Sequence, residues 1–239
     1  MGKLILIRHG QSLWNLENIF TGWTNIDLSP KGKEEAKNAG AIIERNNINI
    51  DICFASYLKR AVRTAWIVLD SCEQMHVNTH YSWKLNERHY GDWQGKNKDE
   101  TLKEVGEKKY WAIRRGYYES PPKLAHNNKQ HPKFDPNYKN VDPAQLPSGE
   151  SLEESSKRVI NYYYEAIVPQ LAKGKTVMVS AHGNSLRALI GYLNKISPNE
   201  IANLEVHTGV PHIYEFDDNL NLNAITNWNN NECFQIIGS

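Results

Sequence analysis

A short apolar run near the amino terminus constrains the fold more than any other feature of the sequence. Leu4–Ile7 contains no polar residue, is partly β-branched, and runs directly into Arg8, His9 and Gly10. Such a run is typical of a strand buried on both faces of a sheet, although periodicity alone does not exclude a helix. In open α/β sheets, ligands bind beyond the carboxyl ends of the strands. The run therefore predicts a buried strand that carries a cation and an imidazole to a binding site.

A second apolar run, Thr176–Ala181, ends in the same way, in His182 and Gly183. A helix is expected to start directly after it, and helix amino termini present free N–H groups and a partial positive charge to anions such as phosphate. Two imidazoles that face one anion site predict a phosphoryl-transfer arrangement. One ring would attack phosphorus while the other donates a hydrogen bond to the transferring group.

Strands and helices alternate along the rest of the chain. Ser29 and Pro30 are a typical helix start, and this helix is expected to run to about Arg45. Other strands are expected at 51–55, 77–81 and 212–216, and other helices at 58–69, after 183, and at 151–168, where Pro169 halts or kinks the chain. The tail from Asn227 predicts no element. This order favours an α/β three-layer sandwich with a mostly parallel central sheet flanked by helices.

Residues 85–147 differ in character from the rest. They are polar, rich in Lys, Asn, His and Pro, and weakly periodic apart from an expected helix near Glu100–Val105. A loop of this length in a compact domain is normally functional or disordered. Its aromatic and arginine side chains favour a lid over a site. We therefore expect one domain, residues 1–239, with 85–147 as a lid or cap insertion.

Charge and cysteine content exclude several classes of protein. A net charge of +1 over 239 residues argues against nucleic-acid or acidic-membrane partners. Cys53, Cys72 and Cys233 form no C-x-x-C pair, and no Cys/His/Asp cluster has metal-ligand spacing. No apolar run approaches membrane-spanning length, and the amino-terminal stretch is too short for a signal peptide. The sequence predicts a cytoplasmic, metal-free protein.

Arginines and one glutamate complete the expected site. Arg8, Arg60, Arg114 and Arg115 can each grip a phosphate through charge-assisted hydrogen bonds. Any single arginine is more often a solvated surface residue, but the twin His-Gly strand ends favour a joint phosphate site. Glu87 could exchange a proton with a substrate hydroxyl, the alternative being an ion pair with a neighbouring arginine.

These features belong to a larger set of motifs that spans residues 3 to about 217. The chain resembles the cofactor-dependent phosphoglycerate mutases of the histidine phosphatase superfamily. The resemblance is carried by Arg8-His9-Gly10-Gln11-Ser12 with Trp14-Asn15, Phe20 to Trp23, Leu58 to Ala61, Leu85 to Gly91, Gln94-Gly95 with Asn97-Lys98, Arg114 to Gly116, Pro121-Pro122, Glu150 to Leu152, Ala181 to Ala188 and Thr208 to Pro211.

The resemblance implies a role for each matching residue. His9 would be the nucleophile and carry a phosphoryl group; Arg8, Arg60 and His182 would stabilise that group during transfer. Glu87 would exchange the proton with the substrate. The implied substrate-binding residues are Ser12, Asn15, Thr21, Gly22, Arg88, His89, Tyr90, Lys98, Arg114, Arg115, Gly183 and Asn184.

The family reaction interconverts 3-phosphoglycerate and 2-phosphoglycerate, primed by 2,3-bisphosphoglycerate and without a metal. The implied ligands are small phosphorylated three-carbon acids, and relatives are commonly homodimers or homotetramers. A phosphatase acting on a phosphorylated metabolite is the nearest alternative, because it shares His9 and the arginines. A non-catalytic phosphate-binding protein is disfavoured because His9, Glu87 and His182 are all present. A serine hydrolase is rejected because its G-x-S-x-G elbow needs glycine where Arg187 stands.

Overall fold

A computed structural model describes residues 1–229 and 232–237, with side chains described as far as residue 226. The described strands form one sheet in the order β3-β2-β4-β1-β5-β6-β7. Their bounds are β1 Gly2–Arg8, β2 Ile52–Ala55, β3 Thr79–Tyr81, β4 Thr176–Ala181, β5 Pro211–Phe216, β6 Leu222–Asn229 and β7 Glu232–Ile237.

The sheet has a parallel half and an antiparallel half. Strands β3, β2, β4 and β1 are parallel neighbours, and Arg8 at the end of β1 lies opposite Ala181 at the end of β4. The two His-Gly segments therefore leave adjacent strands at the same edge of the sheet. Strands β5, β6 and β7 continue the sheet in antiparallel pairs. The predicted α/β sheet is confirmed. The tail from Asn227, for which the sequence predicted no element, contributes the end of β6 and the whole of β7. Residues 230, 231, 238 and 239 lie outside the described residues.

Helices cover both faces of the sheet. The described helices are α1 Leu13–Leu16, α2 Pro30–Arg45, α3 Lys59–Ser71, α4 Lys98–Val105, α5 Glu107–Arg114, α6 Leu152–Tyr162, α7 Val168–Leu171 and α8 Gly183–Leu193. Leu4 and Leu6 of β1 pack in the cluster that also holds the apolar side chains of α6 and α8. Ile5 and Ile7 pack on the opposite face with those of α2 and α3. Alternate residues of β1 therefore pack into apolar clusters on opposite faces of the sheet. This confirms the prediction, from the unbroken apolar run, of a strand buried on both faces.

The helix that opens at Ser151 changes geometry ahead of Pro169. Ser151 and Glu154 form a capping box at the start of this helix. The segment Tyr163–Ile167 then has π-helical hydrogen bonding before α7 continues to Leu171. Proline cannot donate the amide hydrogen bond of a regular helix, and a widened turn accommodates the missing donor. Of the two predicted effects of Pro169, a halt or a kink, the structure shows a local deformation, and the helix continues beyond it.

The expected lid, residues 85–147, contains more structure than the sequence indicated. The helix predicted near Glu100–Val105 is α4, and α5 follows it directly. Short 3-10 turns lie within it at Gly91–Trp93, Pro132–Phe134, Pro136–Tyr138 and Pro143–Gln145. Another, Trp83–Leu85, leads into it, and Ile201–Asn203 lies elsewhere in the chain. Four of the lid's aromatic and aliphatic side chains pack with Phe20 in a separate apolar cluster. This cluster fixes α5 above the carboxyl ends of the strands. None of the helices described is both long and apolar enough to cross a membrane.

Candidate active site

The two histidines lie side by side where β1 and β4 end. The ring centroids of His9 and His182 are 4.9 Å apart, and both side chains are buried. His9 Nδ1 lies 2.7 Å from the carbonyl oxygen of Gly10. A carbonyl only accepts, so Nδ1 carries the proton and Nε2 is unprotonated and keeps its lone pair. Local backbone geometry thereby assigns His9 the tautomer of a nucleophile.

Gly10 is required by close packing of the turn after β1. A Cβ atom at this position would lie 2.0 Å from the carbonyl oxygen of Gly32 in α2. The amide of Gly10 donates to Thr64 Oγ1 of α3 at 3.1 Å. No side chain fits this turn, so the backbone can hold His9 against both helices of one face.

Arg60 is a cationic residue in direct contact with His9. Its Nε donates to His9 Nε2 at 3.2 Å, and its Nη2 and Nη1 donate to the carbonyls of Gly22 and Thr24 at 2.7 and 3.0 Å. Burial lowers the pKa of Arg60 to about 10, which leaves it charged at neutral pH. Arg60 therefore fixes the loop that carries Thr21 and Gly22 while it presents a positive charge to His9.

Glu87 lies at the amino terminus of α8. Its Oε1 accepts hydrogen bonds from the amides of Arg88 and Asn184 at 2.7 and 3.1 Å. The backbone carbonyl of Glu87 accepts from Arg158 Nη2 at 3.3 Å, and Arg158 forms a buried ion pair with Glu150 at 2.8 Å. The sequence did not predict this ion pair, because Arg158 lies within a helix and Glu150 just before one, with no motif that links them. The ion pair positions Glu87 through the backbone.

A pocket of about 180 Å³ joins these groups to the lid. Thirteen of the seventeen residues expected at the site line it: Arg8, His9, Asn15, Thr21, Gly22, Arg60, Glu87, Tyr90, Lys98, Arg114, Arg115, Gly183 and Asn184. His182 lies behind His9, where Ser56 Oγ approaches its Nε2 to 2.6 Å. Sequence reasoning missed Ser56 as a residue of the site, because a single serine directly after β2 carries no distinctive signal.

Three other expected substrate-binding residues do not line the pocket. Ser12 is fully buried and caps α1 through the amide of Asn15. Arg88 is buried and donates to the carbonyls of Ile113 and Arg114, so it holds α5 in place. His89 is buried, and its Nδ1 accepts from the amide of Gly91. Their side chains are committed to the scaffold, because each satisfies backbone groups that would otherwise be buried without partners.

The pocket carries a strong positive charge and unpaired donors. Six cationic side chains line it, against the carboxylates of Glu87 and Glu205. Arg8 Nε and Thr21 Oγ1 are buried there without a hydrogen-bond partner. Buried polar groups are nearly always paired, so unpaired ones in a cationic pocket indicate an anionic ligand. Sequence reasoning also missed Arg187, Glu205, Val206 and His207, which reach the pocket from α8 and from the loop before β5.

Ser185, which lies two residues before Arg187, is held by the backbone of His182. Ser185 is buried, accepts from the amide of His182 at 3.0 Å and lies 3.2 Å from its carbonyl oxygen. A serine bound in this way cannot attack a substrate in the pocket.

Buried neutral histidines make the fold sensitive to acid. Burial and the charges of Arg60 and Arg8 lower the pKa of His9 well below its ordinary 6.5, and burial lowers the pKa of His89 to about 3. The same causes lower the pKa of His182. Below about pH 6.5 the unfolded chain binds protons on these rings and the folded chain does not. The free energy of unfolding therefore decreases as the pH is lowered.

We expect each of these rings to lower the free energy of unfolding by up to about 1.4 kcal/mol per pH unit below pH 6.5. Urea unfolding at pH 7.5 and pH 5.5 measures this loss, above the range in which carboxylates titrate. Replacing the exposed His76 with Gln should leave the loss unchanged. Equal stability at the two pH values would show that the rings are not held neutral.

Comparison with known proteins agrees with this geometry. The model of the histidine phosphatase superfamily, branch 1, matches residues 4–127 and 122–231. A 2,3-bisphosphoglycerate-dependent phosphoglycerate mutase from Nautilia profundicola is 44% identical over 227 residues, which cover 95% of this chain and 99% of that protein.

Solved structures share the fold at low sequence identity. Mycobacterial hydrolase 1 superposes with a TM-score of 0.70 at 19% identity, covering 99% of this chain and 97% of that one. Phosphoserine phosphatase from Entamoeba histolytica, in complex with 3-phosphoglyceric acid, gives 0.64 at 24% identity over 90% and 91% of the two chains. The chain belongs to branch 1 of the histidine phosphatase superfamily, and within it to the 2,3-bisphosphoglycerate-dependent phosphoglycerate mutases.

Proposed function

We propose that the protein interconverts 3-phosphoglycerate and 2-phosphoglycerate through a phosphoryl group carried on His9 Nε2. The tautomer of His9 is the observation that carries this proposal. With Nδ1 bonded to Gly10, the lone pair of Nε2 is available for attack on phosphorus. The lowered pKa of His9 keeps the ring unprotonated at neutral pH, as a nucleophile requires.

The surrounding cations would stabilise the phosphoryl group while it moves. Arg60 Nε donates to His9 Nε2, and the same donor can turn to a phosphoryl oxygen. Arg8 Nε has no hydrogen-bond partner and can donate to a phosphoryl oxygen as well. Phosphoryl transfer depends on positioning and on electrostatic stabilisation, and Arg8 and Arg60 can together supply both.

Glu87 would move the proton of the substrate hydroxyl. Its carboxylate lines the same pocket as His9 and is held by the amides of Arg88 and Asn184. One oxygen of the carboxylate can stay on these amides while the other takes or returns a proton. A group fixed in this manner can serve in both directions of the reaction.

The far side of the pocket fits the second anionic group of a ligand. Lys98, Arg114 and Arg115 of the lid face the strand ends across the pocket. These residues would hold 2,3-bisphosphoglycerate by its outer phosphate or its carboxylate. When bound there, 2,3-bisphosphoglycerate supplies the phosphoryl group that primes His9.

An assay with two readouts tests the proposed function. Formation of 2-phosphoglycerate from 3-phosphoglycerate is followed with and without 2,3-bisphosphoglycerate, together with release of inorganic phosphate. We expect isomerisation that the primer stimulates strongly. Rapid phosphate release without 2-phosphoglycerate would instead favour a phosphatase.

We infer a reaction without metal. Among the residues that the structure describes, no group of three or more His, Cys, Asp or Glu side chains could hold a metal ion. The cationic side chains of the pocket can supply the positive charge that a metal would otherwise provide. Full activity in EDTA is the expected result. We also propose that the enzyme is cytoplasmic and binds neither nucleic acid nor membranes.

We further propose a homodimer or homotetramer. Trp66, Met75 and Tyr81 are exposed and line one shallow surface beside β3, the strand at the edge of the sheet. An edge strand next to exposed aromatic side chains can pair with a second copy of itself. Light scattering should give at least twice the chain mass of 27.4 kDa, and Trp66→Glu should lower that mass. A monomeric wild-type protein would contradict the assignment.

A further inference from the structure

The loop between the turn Ile201–Asn203 and β5 holds two pocket arginines through its backbone. The carbonyl of Leu204 accepts from Arg187 Nε at 3.1 Å, and that of Val206 accepts from Arg8 Nη1 at 2.7 Å. Glu205 lies between them. Its side chain extends toward the lid, where its Oε1 accepts from Arg115 Nη2 at 3.1 Å. One ion pair therefore joins the loop to the lid beside the pocket.

Arg115 needs a counter-ion in this place because other arginines surround it. Burial lowers the pKa of Arg187 to about 10, and the charge of Arg115 contributes to the shift. Burial also lowers the pKa of Arg8, and Arg115 adds to that effect. The other carboxylate among the described pocket residues, Glu87, already accepts from two amides. Glu205 is thus the carboxylate that neutralises Arg115.

We propose that Glu205 is a resident counter-ion, which occupies Arg115 until a phosphate or carboxylate group of the ligand replaces it. The carboxylate lowers the affinity of the pocket for anionic ligands, because each ligand must displace it from Arg115 and also meets its negative charge. The same competition speeds the release of product. The inference rests on the proposed function only for the role of Arg115 as a ligand of the substrate.

The size of the effect follows from the exposure of the pair. The side chain of Glu205 is 62% exposed and that of Arg115 is 29% exposed, so solvent screens their attraction. Pairs of this kind change an equilibrium by about two- to fivefold. Glu205→Gln, which keeps the shape and removes the charge, should therefore bind anions about two- to fivefold more tightly.

Calorimetric titration with inorganic phosphate tests the inference without any turnover. The dissociation constant for phosphate should fall in Glu205→Gln, and the KM for 3-phosphoglycerate should fall with it while kcat stays equal or decreases. The matched control is Glu165→Gln. Glu165 is 61% exposed and pairs with Lys84, which is 31% exposed, away from the pocket. The control should leave both constants unchanged.

A second background separates pairing with Arg115 from a general effect of charge. In Arg115→Gln, the further change Glu205→Gln should strengthen phosphate binding less than it does in the wild type. Unchanged or weaker phosphate binding by Glu205→Gln would overturn the inference, and so would an undiminished gain in the Arg115→Gln background. Failure of the proposed function would appear separately, as absence of isomerisation by the wild-type protein.

Discussion

His9→Asn is expected to abolish isomerisation, with kcat reduced by at least about 10⁴-fold. Asparagine can replace the hydrogen bond from Nδ1 to the carbonyl of Gly10, but it has no nucleophilic nitrogen in the place of Nε2. The reaction would then lose its phosphoryl carrier. The measurement is the coupled isomerisation assay together with trapping of acid-labile phosphate on the protein after mixing with 2,3-bisphosphoglycerate.

Two comparisons make this result specific. His76→Asn has the same chemistry at an exposed position, and it should retain wild-type activity and labelling. The circular dichroism spectrum of His9→Asn should match that of the wild type, because β1, the strand that ends just before His9, is held by β4 and β5. A folded His9→Asn variant that still isomerises substrate would place the nucleophile elsewhere.

The second large effect is expected from Glu87→Gln. The amide oxygen of glutamine can still accept from the backbone of Arg88 or Asn184, so the local structure is preserved. It cannot exchange a proton with a substrate hydroxyl at neutral pH. We expect kcat to fall by about 10²–10⁴-fold, with a smaller change in KM.

Labelling of His9 distinguishes this variant from His9→Asn. Glu87→Gln should still accumulate acid-labile phosphate during long incubation, because its nucleophile is intact. Glu35→Gln is the matched control: Glu35 Oε2 also accepts from a backbone amide, that of Gln11 at 2.7 Å, and Glu35 does not line the pocket. If Glu35→Gln lost as much activity as Glu87→Gln, the loss would reflect charge and not proton transfer.

Local sequence was sufficient for the elements that lie nearest the chemistry. The strand Thr176–Ala181 and the helix from Pro30 to Arg45 have the bounds that the sequence predicted. Both predictions depend on signals within a few residues: an unbroken apolar run in one, and a serine cap followed by proline in the other. The resemblance to the mutase family is likewise confirmed, since its motifs are short segments that keep their order along the chain.

Motifs were less informative about where individual side chains point. Arg88 and His89 follow Glu87 directly, yet Glu87 faces the pocket while the other two are buried in the scaffold of the lid. The shared motif therefore did not show which of the three side chains faces the pocket and which hold the surrounding backbone in place. The separation depends on α5, whose terminal carbonyls lie where Arg88 can bind them.

The sequence by itself determined the buried strands, their His-Gly ends, the class of fold and the family. Only the tertiary structure decided which side chains share the pocket, that β5 to β7 pair antiparallel, and that Glu205 meets Arg115 from the opposite side of the site. The physical reason is range. Apolar runs, caps and turns act between neighbouring residues, whereas the charge and hydrogen bonds of the pocket arise between residues far apart in the chain, which meet only after the sheet and the lid have packed.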